Sequence, residues 1–253
     1  MNGARNGKKK TLALFVALIL SAAVCLPWAA QAAPNTRVVY TYQDQVSSTV
    51  LPVEKPSISG EHMVWVAHDE AKSLEIFYLN LTTGESKQIT KDGNPKDAPK
   101  VGHSDDGNVY IAWSDKRNMY GYDMKTGRTR KLSSKDGMYV DFSISGSDVV
   151  WYDNYTGNLT HYDLKLDKET DLGPGRSPAV ADGKVLYKNR NDGGLSLRVL
   201  ATGETRSVLN LPYHLNVINL AFNGKYALYK QADLDWHTKY VLLDTTDPNA
   251  KPI

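Results

Sequence analysis

The sequence predicts an all-β fold, a β-propeller of four-stranded blades, and two repeated patterns indicate it. In the first pattern, a glycine-containing turn precedes a mostly apolar strand that carries an aromatic residue. This pattern occurs five times, 37 to 47 residues apart, at Gly60, Gly107, Gly146, Gly183 and Gly224. The second pattern is a hairpin turn at a fixed later place in each unit. Units of about 40 residues that hold four short strands are typical of propeller blades.

The segment His103–Ser133 is the best-preserved unit, and it contains both patterns. An apolar strand over residues 109–113 ends at a polar cluster. A second strand over residues 119–124 stops at the turn Lys125–Gly127, where glycine tolerates a positive φ. An Asn or Asp recurs just before this turn in four units, and we expect a structural role for it at Asn80, Asp123, Asp163 and Asp244.

The innermost strand of each predicted blade comes directly before the glycine. We expect these strands at residues 56–59, 99–102, 140–145, 178–181 and 216–222. Tryptophan recurs on the second strand, and we expect a place in the core between blades for Trp65, Trp113 and Trp151. The alternative is an antiparallel sandwich whose hairpins happen to be similar. Five copies of two aligned patterns favour the propeller.

Residues 1–32 have the pattern of a secretory signal peptide. Four basic residues precede an apolar stretch, Leu12–Leu26, and Ala30-Gln31-Ala32 supplies small residues for cleavage. The apolar stretch is shorter than the roughly 20 residues that cross a bilayer, which disfavours a retained anchor. We therefore expect a secreted, periplasmic or cell-surface protein without a membrane span in its mature chain.

Removal of this segment changes the charge and the cysteine count. Four of the 30 basic residues and none of the 28 acidic residues are lost, so the formal charge falls from +2 to −2. The mature chain therefore gives no reason to expect nucleic acid as a partner. The only cysteine, Cys25, is lost as well, which excludes disulfides, zinc–thiolate sites and a cysteine nucleophile.

Residues 33–55 are predicted to be an N-terminal closing strand and linker, and residues 56–253 the propeller. The fifth blade lacks an outer strand, since its last nine residues are rich in turn formers and contain two prolines. The β-prone run Thr36–Gln43 can pair beside Lys239–Asp244, which would close the ring and protect the sheet edges. The sequence favours five blades, and six remain open if residues 36–55 belong to another blade.

The unit His103–Ser133 resembles the repeat of TolB-like β-propellers. The matching residues are Ser104, Asp106, Gly107, Ser114-Asp115, Arg117, Tyr122-Asp123, Thr126-Gly127 and Leu132-Ser133. The other four units match less fully, and the similarity covers most of residues 56–244. The resemblance implies a binding platform or an accessory domain of peptidases and polysaccharide-active enzymes. The α/β domain that precedes the propeller in TolB proteins has no counterpart in this sequence, so a TolB role is not implied.

The loops of a propeller gather on one face around its central channel, and the repeat places charged and aromatic residues there. Turns between second and third strands contribute Asp69, Asp115, Arg117, Arg190 and Trp236. Loops between blades contribute Asp97, Asp141, Arg176 and His214. Arginine binds a carboxylate through two parallel hydrogen bonds and aromatic rings stack, so this face suits a glycan or a peptide. The alternative for each aspartate is a role in its own turn.

No motif in the sequence indicates a particular reaction. The six histidines have no metal-ligand spacing, and there is neither a phosphate-binding loop nor a Gly-x-Ser-x-Gly elbow. We therefore expect no metal, no cofactor and no catalytic residue.

Three functions fit these observations. The leading hypothesis is an exported, monomeric, non-catalytic propeller that binds a protein or a cell-envelope glycan through its loop face. An alternative is a polysaccharide-active hydrolase or lyase that uses channel-facing aspartates such as Asp97 and Asp141. The third is a structural module of the cell envelope.

Overall fold

The described part of the chain is built entirely from β-strands. The computed structural model describes residues 56–190, 193–212, 215–235 and 237–247. Within these ranges it has nineteen strands and no helix, which confirms the predicted all-β class, and no membrane-crossing helix occurs there. The predicted signal peptide and closing strand, and the candidates His214 and Trp236, lie outside the described residues.

The strands form five antiparallel sheets in chain order, and in each sheet successive strands are neighbours. The first sheet comprises β1 (Ser57–Ser59), β2 (His62–His68), β3 (Leu74–Asn80) and β4 (Ser86–Gln88). The second comprises β5 (Asp97–His103), β6 (Val109–Ser114), β7 (Met119–Asp123) and β8 (Arg128–Lys131). The third comprises β9 (Tyr139–Ser145), β10 (Asp148–Asp153), β11 (Asn158–Asp163) and β12 (Lys168–Pro174). The fourth comprises β13 (Arg176–Ala181), β14 (Lys184–Lys188), β15 (Leu195–Val199) and β16 (Thr205–Leu209). The fifth comprises β17 (Asn216–Phe222), β18 (Tyr226–Ala232) and β19 (Thr238–Asp244).

The residue before the outer hairpin turn has the predicted structural role in four units. The carboxylate of Asp123 accepts hydrogen bonds from the backbone N–H groups of Lys125 (2.9 Å) and Thr126 (3.2 Å). The same bonds to the residues two or three positions later occur at Asn80, Asp163 and Asp244. These side chains replace backbone acceptors in the turn, so the recurrence reflects the fold.

The first strands of successive sheets pack against one another and run in the same direction. Ser57 Oγ accepts a hydrogen bond from Val101 N (3.3 Å), and two residues further along both strands Ser59 Oγ contacts His103 Nδ1 (2.8 Å). Equivalent bonding recurs between the first strands of the third and fourth sheets, where Ser143 Oγ accepts a hydrogen bond from Val180 N (3.1 Å). The starts of the first strands therefore lie at the same end of the sheets.

A glycine permits the close approach of the second and third sheets. A Cβ atom at Gly102 would lie 2.6 Å from the carbonyl oxygen of Gly146 and 3.0 Å from a side-chain carbon of Ile144. Atoms that close repel strongly, so only glycine fits between β5 and the turn after β9.

The hydrophobic core lies in layers between neighbouring sheets. Trp113 packs among residues of the first two sheets, and Trp151 packs among residues of the second and third. Tyr187 and Tyr229 occupy the matching layers of the fourth and fifth sheets. Each of these side chains therefore packs back onto the preceding sheet. Trp65 is also buried, in a cluster that contains only residues of the first sheet.

β-Bulges interrupt the pairing near the start of three first strands. The register shifts between Asp97 and Lys100, between Arg176 and Ala179, and between Ile218 and Ala221. A residue with positive φ lies in each bulge, and these residues are Ala98 (40°), Ser177 (50°) and Asn219 (53°). Non-glycine residues rarely adopt this conformation, and bulges change the direction of neighbouring side chains.

A buried ion pair fixes the connection from the first sheet to the second. Lys96 Nζ lies 2.9 Å from Glu75 Oε2, and both side chains are 1% exposed. Glu75 also accepts hydrogen bonds from Thr90 Oγ1 (2.5 Å) and from the backbone N–H of Gly93 (2.7 Å). Lys96 contacts Asp92 as well. Because the charges are satisfied by one another and by the backbone, the loop has a single well-defined path into β5.

Candidate functional site

Three of the nine predicted site residues lie at the starts of first strands. Asp97 begins β5, Asp141 is the third residue of β9, and Arg176 begins β13. Asp97 and Arg176 were expected in loops between blades, and the structure places them within strands instead. Asp141 was expected in such a loop but also falls within the strand predicted at residues 140–145, which β9 agrees with. Pro99 and Pro178 follow closely, and the bulges accommodate these prolines inside strands that the sequence predicts to start later.

A lysine missed by the sequence analysis joins β5 to β9 at this end. Lys100 Nζ donates a hydrogen bond to the carbonyl oxygen of Phe142 and lies 4.7 Å from the centroid of the Phe142 ring. Burial lowers the pKa of Lys100, and the charge of Asp141 partly offsets this effect. Burial likewise raises the pKa of Asp141, against the opposing influence of Lys100 and of a hydrogen bond with Ser177. Lys100 and Asp141 are therefore electrostatically coupled, with Ser177 at the edge of the pair.

A second polar group joins β13, β14 and β17. Arg176 lies directly opposite Lys188 in the register of β13 and β14. Lys188 Nζ donates a hydrogen bond to Asn216 Oδ1 at the start of β17. Burial, and then the nearby charge of Arg176, lowers the pKa of Lys188. Two cations are thus held side by side at the end of the fourth sheet.

Together these groups form a continuous line across four sheets, which we call the inner-strand arc. It consists of Lys100, Asp141, Ser177, Arg176, Lys188 and Asn216. The arc combines cations, a carboxyl, a hydroxyl and an amide, so it offers both donors and acceptors to a polar ligand. Ser177 at positive φ, and Ala98 beside Asp97, place strained backbone at the same end, and such strain is often retained where function requires it.

Two of the predicted aspartates have the turn role that was their alternative. Asp115 accepts hydrogen bonds from the backbone N–H groups of Arg117 (2.8 Å) and Asn118 (2.6 Å) and from the Tyr120 hydroxyl (3.0 Å). Burial acts to raise the pKa of Asp115, but these hydrogen bonds outweigh it and the pKa is lowered. Asp69 accepts a bond from Ser73 N (2.9 Å) across its own turn.

The predicted arginines in turns contact groups outside the arc. Arg117 has a 77% exposed side chain, and its guanidinium is 3.9 Å from the carboxylate of Asp136. Arg190 is exposed, and its guanidinium approaches the carbonyl oxygen of Thr156 at 3.4 Å. Of the predicted set, the arc therefore contains Asp141 and Arg176, while Asp97 begins β5 ahead of Lys100.

Four members of the arc were missed by the sequence analysis, namely Lys100, Ser177, Lys188 and Asn216. Lys100 and Ser177 lie in or next to bulges, which a strict alternation of inward and outward residues does not reveal. The proximity of Lys188 to Arg176 follows from strand register, and a register drawn from the repeat would have indicated it. Asn216 could have been found from the sequence, because it begins the first strand predicted at residues 216–222.

A separate polar hollow lies on the third sheet. It has a volume of about 330 Å³ and is lined by Ser134, Lys135, Tyr139, Asp153, Thr156, Asn158, Thr160, Glu169 and Asp171. Some of its polar groups bond to one another, as Thr156 Oγ1 does to Asp153 (2.9 Å) and the Asn158 amide to Asp171 (3.3 Å). In the described part of the chain, no group of three or more His, Cys, Asp or Glu residues is arranged to hold a metal.

Comparison with known proteins supports a fold and nothing more specific. No family model matches the sequence, and no curated protein matches it. Among solved structures, an oligogalacturonate lyase in complex with manganese has a TM-score of 0.55 at 13% identity, over 76% of this chain and 62% of the lyase. A nidogen/laminin complex has a TM-score of 0.51 at 14% identity, over 79% of each chain.

TolB from Acinetobacter baumannii is also similar, with 17% identity over 76% of this chain, but its TM-score is only 0.46. The chain spans 54% of the length of that TolB structure, so a likeness at this level supports no statement about activity. The structures similar to this chain are β-propellers that include both binding proteins and enzymes. The described sheets, their order and these similarities together give the chain a β-propeller fold.

Proposed function

We propose that this protein is a non-catalytic binding propeller whose ligand, a protein or a cell-envelope glycan, lies against the inner-strand arc. The observation that carries the proposal is the coupled pair Lys100 and Asp141 at the starts of first strands. A protein that used this end only for packing would gain stability from apolar residues there, because half-buried charges are costly. The neighbouring cations and the strained bulge at Ser177 favour the same end.

The proposal includes export and a closed ring. The signal-peptide pattern of residues 1–32 favours a secreted, periplasmic or cell-surface location for a monomer. A five-bladed, TolB-like ring in which the run Thr36–Gln43 pairs beside β19 would protect the edge of the fifth sheet, which has three strands among the described residues. Six blades are the alternative if residues 36–55 contribute a further sheet.

Binding can be tested on an array of cell-envelope glycans and by affinity capture from envelope extract. Asp141→Asn and Lys100→Met each remove one charge of the coupled pair, and we expect each to weaken binding at least about tenfold. Asp106→Asn is the matched control, because Asp106 lies in the turn beyond the other end of β5 and pairs with Lys165 (2.9 Å). If the control variant loses as much binding affinity as the two arc variants, the proposal is wrong.

A second candidate function is a polysaccharide-active enzyme in which Asp141 acts as a general acid. The raised pKa of this half-buried carboxyl is the observation that favours it, since a general acid must hold its proton near neutral pH. Purified protein incubated with a polysaccharide library distinguishes the two functions. If the unchanged protein turns over a polysaccharide and Asp141→Asn folds but does not, the protein is an enzyme and the proposal of a non-catalytic binding protein is wrong.

A further inference from the structure

Two cations, Arg176 and Lys188, are paired at the end of the fourth sheet. Another like-charged pair, Asp148 and Asp163, lies opposite in the third sheet, but it is anionic and His161 lies 2.8 Å from Asp148. Arg176 and Lys188 are directly opposite in an antiparallel ladder, so both side chains project from the same face. Like charges in this position repel and destabilise a sheet. The repulsion is reflected in the lowered pKa of Lys188, for which burial is the larger cause and Arg176 the other.

This repulsion is not relieved by a nearby carboxylate within the described part of the chain. No carboxylate oxygen there lies within 4.0 Å of either cation. Within the described residues, Lys188 Nζ donates its hydrogen bond to the neutral amide oxygen of Asn216. By contrast, Lys96 and Arg130 each contact a carboxylate at 2.8 to 2.9 Å. The fourth sheet therefore has an excess of positive charge where the proposed ligand lies.

We propose that Arg176 and Lys188 form the subsite for a carboxylate of an acidic glycan. This inference rests on the proposed binding function and identifies the chemical class of the ligand. The planar guanidinium of Arg176 can hold both oxygens of a carboxylate, while the ammonium of Lys188 adds a point charge. The amide nitrogen of Asn216 remains able to donate to a hydroxyl, because the contact with Lys188 uses its oxygen.

The groups beside the two cations favour a sugar acid over an acidic peptide. Ser177 offers a hydroxyl, and Asp141 offers a carboxyl that can accept hydrogen bonds from hydroxyl groups when ionised and donate one when protonated. A hydroxyl-rich ring that carries one carboxylate matches this mixture, with the acid group at the fourth sheet and the hydroxyl groups toward the third. An acidic peptide would engage the cations but would leave these hydrogen-bonding groups with few partners.

Calorimetric titration with a glucuronate-bearing oligosaccharide and its methyl ester tests the subsite. The ester keeps every hydroxyl and loses only the charge, so we expect the acid to bind at least about tenfold more tightly. Arg176→Gln and Lys188→Gln should each reduce that preference at least about threefold, because each removes one of the two charges that distinguish the acid from the ester. Lys165→Gln, which removes a distant exposed lysine, should keep the full preference.

The outcomes separate this inference from the function on which it rests. Equal binding of acid and ester overturns the carboxylate subsite and leaves the proposed binding function intact. If neither sugar binds and a glutamate-rich peptide does, the ligand class is wrong; if none of the three binds, both proposals lose their support. Folding is monitored by the thermal midpoint, which should stay constant or rise in both glutamine variants, because each removes a like-charge repulsion.

Discussion

The surroundings of His62 lower the pKa of its imidazole. Its ring Nδ1 lies 2.7 Å from the Tyr78 hydroxyl, and its ring centroid is 5.8 Å from that of His103. Burial is the largest cause of its lowered pKa; Glu61 acts to raise the pKa and His103 to lower it further. This cluster lies at the end of the sheets away from the inner-strand arc, so its titration can be followed separately from binding.

We expect acid to destabilise the protein through His62. Because the folded-state pKa lies below the ordinary value of about 6.5, the unfolded chain binds a proton more readily, and stability present above that value is lost as pH falls through it. Titration by nuclear magnetic resonance should give His62 a pKa below 6.5, and His103→Gln should raise it. A His62 pKa at or above 6.5 in the unchanged protein would contradict this account.

Single residues differ in how far the sequence reveals their roles. The turn function of Asp123 and its three counterparts could be predicted, because an Asn or Asp recurs at one place in the repeat and accepts hydrogen bonds from the backbone of the next few residues. The position of Lys100 could not, because its partner Phe142 is 42 residues away and a bulge determines its direction. Hydrogen bonds within a turn recur wherever the sequence motif recurs. Hydrogen bonds between neighbouring sheets depend on how their strands are aligned, which the motif does not reveal.

The connection between the first and second sheets depends on the ion pair of Glu75 and Lys96. Glu75→Ala leaves the buried Lys96 with the 54% exposed Asp92 as its anionic partner, so it should lower the free energy of unfolding by about 3 kcal/mol, the lower end for a broken buried pair. The double variant with methionine at both positions should lose less free energy of unfolding than the sum of the losses in the two single methionine variants. Chemical denaturation measures all of these values.

The control for this prediction is an ion pair of the second sheet that faces solvent. Lys131 lies 3.1 Å from Asp136, and both side chains are at least 43% exposed. Lys131→Ala should therefore change the unfolding free energy by less than about 1 kcal/mol. If Glu75→Ala costs no more than this control, the buried pair does not hold the connection in place.

The elements themselves could be predicted well, and their ends less well. The predicted first strand at residues 216–222 agrees with β17, whereas the strands predicted at residues 99–102 and 178–181 begin two residues earlier in the structure. Both predicted strands begin at a proline, because proline cannot donate a hydrogen bond to a β-ladder. A bulge admits the proline within the strand, and this difference moves Asp97 and Arg176 from loops into the sheet edge at the arc.

At the scale of the whole molecule, the placement of tryptophan bears on ring closure. Trp113 and Trp151 each pack back onto the preceding sheet, and Trp65 occupies the same repeat position in the first sheet. A preceding element is therefore expected on that side of the first sheet. At the other end of the series, Tyr240 and Leu242 on β19 are 70% and 42% exposed, on the face opposite the buried Val241 and Leu243. The fifth sheet therefore has an apolar face on which a further element would pack.

Hydrogen exchange of the β19 amides tests closure by residues 36–43. In the complete chain, we expect slow exchange at the alternate amides of β19 that point away from β18, because a paired strand would bond them. Deletion of residues 36–43 should make these amides exchange rapidly while those bonded to β18 stay protected. Rapid exchange of the same amides in the complete chain would contradict closure at this edge.

We propose above that a polar ligand binds at the end of the sheets where the first strands begin. This can be tested by recording amide chemical shifts while a glucuronate-bearing oligosaccharide is added. We expect the largest changes at the starts of β5, β9, β13 and β17, around Lys100, Asp141 and Arg176. Changes confined to the opposite end, near His62 and His103, or to the outer strands of the sheets would contradict it.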